Sequence, residues 1–239
     1  MRRTAVLLLG VAGVSGCDQV FGLELAAERA RDGGPDGGAA GCIPTAFTEP
    51  FDDVAVGTDV CLPWGYAGGT GAAPTREGGA LVIRPPALQV ADGACSNGPL
   101  VAFEPGGVFV EHESVLALAS TYTTFTVRWA DGARELAVNV GPEQLVVATT
   151  TTDPATMEVR TVRLAEVLFD VALARWWRIR PVADGLIAET SGDGQQWRTL
   201  AELTEPPPAT VQIGLNAGTF EPTDAPGEAR FAGLNVCPP

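Results

Sequence analysis

Trp176, Arg178 and Arg180 are the side chains best placed by type and spacing to meet a ligand. They lie in Arg175–Leu200, a stretch that holds three of the five tryptophans and reads as short strands joined by Gly/Asp turns. Alternation along a strand puts Trp177 and Ile179 on one face and Trp176, Arg178 and Arg180 on the other. An open indole offers a flat apolar surface for a sugar ring, and guanidinium groups offer hydrogen-bond donors. The competing expectation is that a loop covers Trp176, or that it packs on the arginine stems.

Acids are scattered. Glu111 and Glu113 share a strand face across His112, with ~7 Å between their Cα atoms from the strand rise. Such a pair could do acid–base chemistry, but nothing local raises one carboxyl's pKa. The segment reads more simply as a solvated edge with a surface histidine. Asp52, Asp53 and Asp59 could contribute oxygen ligands to Ca²⁺, although no EF-type Gly and Glu follow, so a solvated turn is the simpler reading. With one histidine in the chain, Ser/His/Asp arrangements are limited, and no Gly-x-Ser-x-Gly elbow, Walker loop or His-Glu-x-x-His occurs. No catalytic residue, metal or cofactor is expected.

The five cysteines are Cys17, Cys42, Cys61, Cys95 and Cys237. If Cys17 is set aside for lipid, four remain, and an exported chain with an even remainder points to two disulfides. Three connectivities are open. Cys42–Cys237 with Cys61–Cys95 is the first choice, because terminal strands of a sandwich are often neighbours. No Cys-x-x-Cys pair suggests zinc.

The elements that would position these groups are short strands. Thr121–Trp129 alternates Phe125, Val127 and Trp129 with Thr124, Thr126 and Arg128, the pattern of a half-buried strand. Ala130-Asp131-Gly132 turns the chain into Glu135–Val140. Gly79–Arg84, Gln144–Thr150, Glu158–Leu164, the strand through Val211, Ile213 and Leu215, and Glu228–Val236 follow the same logic. Ala165–Ala174 reads as a helical turn or a crossing loop. Ten to twelve strands with frequent turn signals give an all-β, two-sheet antiparallel sandwich.

The N-terminus reads as an address. Arg2 and Arg3 precede the apolar run Ala5–Val14, which is of signal-peptide length. Val14-Ser15-Gly16-Cys17 resembles a bacterial lipobox. The resemblance implies cleavage after Gly16 and a diacylglycerol anchor on Cys17, where two or three acyl chains hold stably. Residues 1–16 are then the signal peptide, 17–41 a lipidated, Gly/Asp-rich tether and 42–239 the sandwich domain. Leu23–Arg31 could form a short helix within the tether. The protein would sit in the bacterial cell envelope, facing the periplasm or the outer surface. Its net charge of −14, with every basic residue an arginine, repels phosphate backbones and argues against nucleic acid.

The domain resembles concanavalin A-like lectin/glucanase jelly rolls over about residues 45–237. The resemblance rests on Phe51-Asp52-Asp53 with Trp64 downstream and on the strand Gly79–Ile83. It rests further on Trp177–Arg180, the Asp184-Gly185 turn, Ser191–Trp197 and Val211–Leu215. Ser191–Trp197 is also similar to the Asp-box turn of sialidases, with altered spacing, and reads as a hairpin stabiliser. Glucanases of this fold carry a Glu-x-Asp-x-x-Glu pattern that this chain lacks. The expectation is therefore a non-catalytic, membrane-anchored module for glycan or another envelope component. Alternatives are an assembly lipoprotein binding envelope protein, and a diverged glycoside hydrolase.

Overall fold

The computed structural model describes residues 24–25, 47–52, 61, 65–97, 100–116 and 119–238. Sixteen strands run through them, and the described residues contain no helix. They are β1 (Glu24–Leu25), β2 (Gly65–Thr70), β3 (Thr75–Arg76), β4 (Leu81–Ile83), β5 (Asp92–Asn97), β6 (Val101–Ala102), β7 (Val108–Ser114) and β8 (Thr121–Trp129). After these come β9 (Arg134–Gly141), β10 (Gln144–Thr152), β11 (Val159–Leu168), β12 (Trp176–Val182), β13 (Gly185–Ser191), β14 (Arg198–Leu203), β15 (Thr210–Thr219) and β16 (Ala229–Leu234).

They form two sheets. The nine-stranded sheet has the order β1-β11-β10-β9-β8-β15-β5-β2, with β6 also on β15. The seven-stranded sheet has the order β14-β13-β12-β7-β16-β4-β3. Pairing between named strands is antiparallel except for β1 on β11. This is the antiparallel sandwich that the alternating sequence implies.

The core follows from period two. Phe125, Val127 and Trp129 of β8 point inward with Leu136, Val138 and Val140 of β9 and Val211, Ile213 and Leu215 of β15. Opposite them lie Val108 and Val110 of β7, Trp177 and Ile179 of β12, Leu81 and Ile83 of β4, and Phe231 of β16. Burying one such side chain contributes about 1.5–3 kcal/mol, so the two inner faces hold the sheets together.

Several sequence expectations change. β11 runs on to Leu168, so Ala165–Leu168 is strand, while the rest of Ala165–Ala174 closes in one helical turn, where the Leu173 and Ala174 backbone N–H groups both donate to Asp170 O, at 3.0 and 2.9 Å. Val167 and Phe169 still reach the core there, which favours extended chain. β2 and β5 are strands that composition hid, because eight of their twelve residues are Gly, Ala, Ser or Thr. Glu24–Leu25 pairs with Val162–Arg163 as a strand, not as part of a helix. The rest of the signal and tether, with Cys17 and Cys42, lies outside the described residues.

A disulfide joins Cys61 to Cys95 with Cα atoms 5.6 Å apart, as expected. It ties the chain before β2 to the inward face of β5. Cys237 is also disulfide-bonded.

Candidate functional site

The expected ligand face on β12 is covered. Trp176 is 4% exposed and Arg178 is 8% exposed. Both do point away from the core that holds Trp177 and Ile179. The hairpin after β13 folds back over them. A Cβ at Gly194 would lie 3.0 Å from Trp176 Cε2 and 2.9 Å from Pro238 Cγ, so the turn and the C-terminal segment close on the indole. Phe109 packs beside Trp176 with ring centroids 6.3 Å apart. The Arg178 guanidinium carbon sits 4.0 Å from the Trp197 ring centre.

Glu189, which the sequence reading passed over, bridges the two arginines of this cluster. Arg178 Nε donates to Glu189 Oε2 at 2.7 Å, and Arg180 Nε donates to the same oxygen at 3.0 Å. Burial holds the Arg178 guanidinium below the usual arginine pKa, against the opposing pull of Glu189. Trp176, Arg178 and Arg180 therefore form part of a packed ladder, with only Arg180 half-open to solvent. Ser191 and Asp193 support the turn: Asp193 Oδ1 accepts from the backbone of Gln195 and Gln196, both at 2.8 Å. Those bonds lower the Asp193 carboxyl below its ordinary pKa.

The other sequence candidates also separate. Glu111 is paired with Arg175 at 2.5 Å and Glu113 with Arg230 at 2.8 Å, so each carboxylate has its own cation. His112 is fully buried, not a surface residue. β7 is an interior strand between β12 and β16, and alternation sends His112 inward with Val110. Its ring lies 4.5 Å from Trp177 between centroids, and desolvation pushes its pKa down to about 4. Asp52 is exposed, while Asp53 and Asp59 lie outside the described residues.

A different surface emerges on the outer face of the nine-stranded sheet. Strand register sets its residues in rows. One row runs Gly68, Ala94, Asn216, Thr124, Asn139, Val146. The next runs Ser96, Gly214, Thr126, Ala137, Ala148. These two rows form a floor of small and polar side chains, most of them half-buried. The described sheet from β2 to β11 is seven strands wide, or roughly 29 Å at a strand spacing of ~4.8 Å.

The floor has two unlike sides. On one, Phe220 stacks on Tyr122 with ring centroids 4.8 Å apart. On the other, Arg128 pairs with Glu135 at 2.6 Å beside Gln212 and Thr150. A recess of about 300 Å³ lies there, lined by Arg128, Gly132, Ala133, Arg134, Glu135, Thr150 and Thr152.

The floor carries hydrogen-bonding groups. Thr124 Oγ1 donates to Asn139 Oδ1 at 3.0 Å, which fixes the amide and directs Asn139 Nδ2 to other acceptors. Asn216 bonds the Tyr122 phenol, yet its own Oδ1 is buried with no partner among the described residues. Tyr122 is pushed up to about pKa 12 by burial and by the nearby Asp92 charge. Asp92 accepts from the Thr70 backbone at 2.9 Å and from the Thr70 hydroxyl. This arrangement offers an aromatic face, amide and hydroxyl groups, and space over glycine and alanine. The sequence signal for it was present: Thr124, Thr126 and Arg128 already read as the second face of β8.

No protein-family model matches the chain, and no curated protein matches it by sequence. Solved structures do match in shape. A glycoside hydrolase family 16 endo-glucanase from Bacteroides ovatus superposes with a TM-score of 0.52 at 7% identity, over 79% of this chain and 98% of that one. A GlcNAcα1-4Gal-releasing endo-β-galactosidase from Clostridium perfringens gives 0.53 at 10% identity, over 84% of this chain and 63% of that one. The CBM2 module of an evolved Dit protein of Lactobacillus casei BL23 phage J-1 gives 0.50 at 11% identity, over 80% of this chain and 94% of that one. The domain thus has the concanavalin A-like jelly-roll fold.

Proposed function

We propose that this protein is a non-catalytic glycan-binding module, held in the bacterial cell envelope by lipid on Cys17. Its ligand is a neutral polysaccharide that lies across the outer face of the nine-stranded sheet. The observation that carries this reading is the floor itself: small residues and fixed amides beside the Tyr122–Phe220 stack. A pyranose presents one apolar face and a rim of hydroxyls, and this surface is complementary to both. The net charge of −14 disfavours anionic polymers. Similar folds in two glycanases and a CBM2 module add support at the level of architecture.

The non-catalytic part rests on where the acids lie. Hydrolysis of a glycosidic bond generally takes two carboxyl groups flanking it. On this face Asp92, Glu135 and Glu166 stand on three different strands, β5, β9 and β11. Glu135 and Glu166 are each paired with an arginine. The envelope anchor rests on the sequence pattern Val14–Cys17, and the expected Cys42–Cys237 bridge would close the domain next to its tether.

Affinity electrophoresis in gels containing neutral β-glucans, galactans or mannans tests the reading. Retardation is expected in at least one polymer, without release of reducing ends, and it should weaken in Asn139→Ala. Unretarded migration in all of them would refute it, and reducing-end release would replace it with the hydrolase reading.

A further inference from the structure

The Tyr122 side of the floor continues into an apolar rim. Strand register carries on past β5 and β15: Gly218 faces Asp92, and the Thr219 backbone N–H donates to Ala91 O at 2.8 Å. Extending that register by one step sets Phe220 across from Val90. Val90 shares the outward parity of Asp92 and Ala94, and Phe220 that of Gly218 and Asn216. The loop bearing Val90 is tied in place. Thr219 Oγ1 donates to Gln89 O at 2.9 Å, and the Leu88 backbone N–H donates to Thr223 O at 2.8 Å.

Three exposed apolar side chains therefore lie along this edge of the sheet. Leu88 is 66% exposed, Val90 60% and Phe220 47%. Hydrogen bonds at Leu88, Gln89 and Ala91 fix the backbone that carries Leu88 and Val90. Leu88 even adopts a positive φ of 59°, an unusual conformation for a leucine. Apolar groups gathered beside a polar floor mark a contact surface more than chance exposure does. The opposite side, with Arg128 and Glu135, is charged.

We infer that the rim selects neutral glycans bearing small acyl substituents, and that O-acetyl groups on the chain pack against Leu88 and Val90. This inference rests on the glycan reading above and deepens it. A polymer lying across the strands turns one edge of its rings toward the rim. Bare hydroxyls there would meet apolar surface and lose water without compensation. An acetyl group caps the hydroxyl and offers its methyl instead. No covalent step is involved.

The test compares one polymer in two states: partially O-acetylated glucomannan, and the same sample after mild alkaline deacetylation. Both are neutral, so electrostatics do not change. The full exported chain should bind the acetylated form about fourfold more tightly, the factor that burying one methyl-sized group supplies. Leu88→Ser with Val90→Ser should bring the two affinities together, by weakening acetylated binding and relieving the penalty on bare hydroxyls. Equal affinities in the unsubstituted protein would overturn the rim inference and leave the glycan reading standing. So would a preference that survives in the double variant. Binding to neither form would overturn the inference, and silence across other neutral polymers as well would overturn the glycan reading itself.

Discussion

Phe220 stacks on Tyr122 with ring planes 27° apart, across strands that carry no other aromatic on this part of the outer face among the described residues. The residue that lets them meet is Gly218. A Cβ there would come within 2.8 Å of Tyr122 Oη, 2.7 Å of Asp92 Cβ and 2.7 Å of Ala91 O. Backbone and side chains on both neighbouring strands would have to shift.

Gly218→Ala should therefore displace Tyr122 and loosen the stack. Burial beside Asp92 holds the Tyr122 phenol up at about 12. Its ultraviolet titration should move down toward the ordinary tyrosine value near 10 in the variant. The sign for stability follows. A raised folded pKa means that the unfolded chain ionises first, so the native protein should lose stability as pH rises from about 10 to about 12. An unchanged phenol titration in Gly218→Ala would contradict this account of the stack.

His112 should make the domain acid-sensitive. Burial against Trp177 and Phe169, together with the nearby Arg175 charge, lowers its pKa from the ordinary 6.5 to about 4. Below pH 6.5 the unfolded chain takes a proton that the folded one refuses. Stability present above that pH is lost progressively down to about pH 4, by roughly 3 kcal/mol at most. Urea unfolding across pH 4–7 should show this slope, and His112→Gln should flatten it. A slope that persists in His112→Gln would assign it to other groups.

The Trp176 cluster should matter for folding more than for binding. Trp176→Ala should cost about 3–5 kcal/mol as a large-to-small change at a buried site. Glu189→Ala should cost about 3 kcal/mol, because it leaves the buried Arg178 without its partner. Thermal unfolding measures both. If either variant kept full stability and lost glycan binding, the ligand would belong on the β12 face.

The Cys61–Cys95 bridge closes a loop of 34 residues in sequence separation. By chain entropy its loss should cost roughly 4 kcal/mol. Cys61→Ala with Cys95→Ala, measured by urea unfolding under oxidising conditions, checks this. A change under about 1 kcal/mol would mean that the early loops are held by packing alone.

The sequence and the structure agree where side chains are large and alternate. Phe125, Val127 and Trp129 announced β8 and its buried face, and Val211, Ile213 and Leu215 announced β15. The Asp193 turn was legible from local turn chemistry, and the Cys61–Cys95 pairing from the expectation that terminal strands neighbour each other, which leaves these two cysteines for one another. The site was harder. Its floor consists of residues with little side chain, such as Gly68, Ala94, Gly214 and Ala137, and absence of bulk carries no periodic signal. Its rows join strands far apart in sequence, so Asn216, Thr124 and Asn139 become neighbours only through register. The β12 cluster misled for the opposite reason. Alternation correctly turned Trp176 outward, but it could not show that the segment from Gly192 to Trp197 folds back over it, or that Glu189 lies between the two arginines.

Calorimetric titration with a neutral oligosaccharide, cut from whichever polymer retards the protein, tests the central claim most directly. Three variants are compared: Phe220→Ala and Asn139→Ala on the nine-stranded sheet, and Arg180→Ala on the seven-stranded one. Phe220→Ala and Asn139→Ala should each weaken binding by about 1 kcal/mol, or roughly fivefold. Arg180→Ala should leave the affinity unchanged. Loss of binding in Arg180→Ala, with full affinity in the other two, would contradict the assignment of the ligand to the Tyr122–Phe220 face.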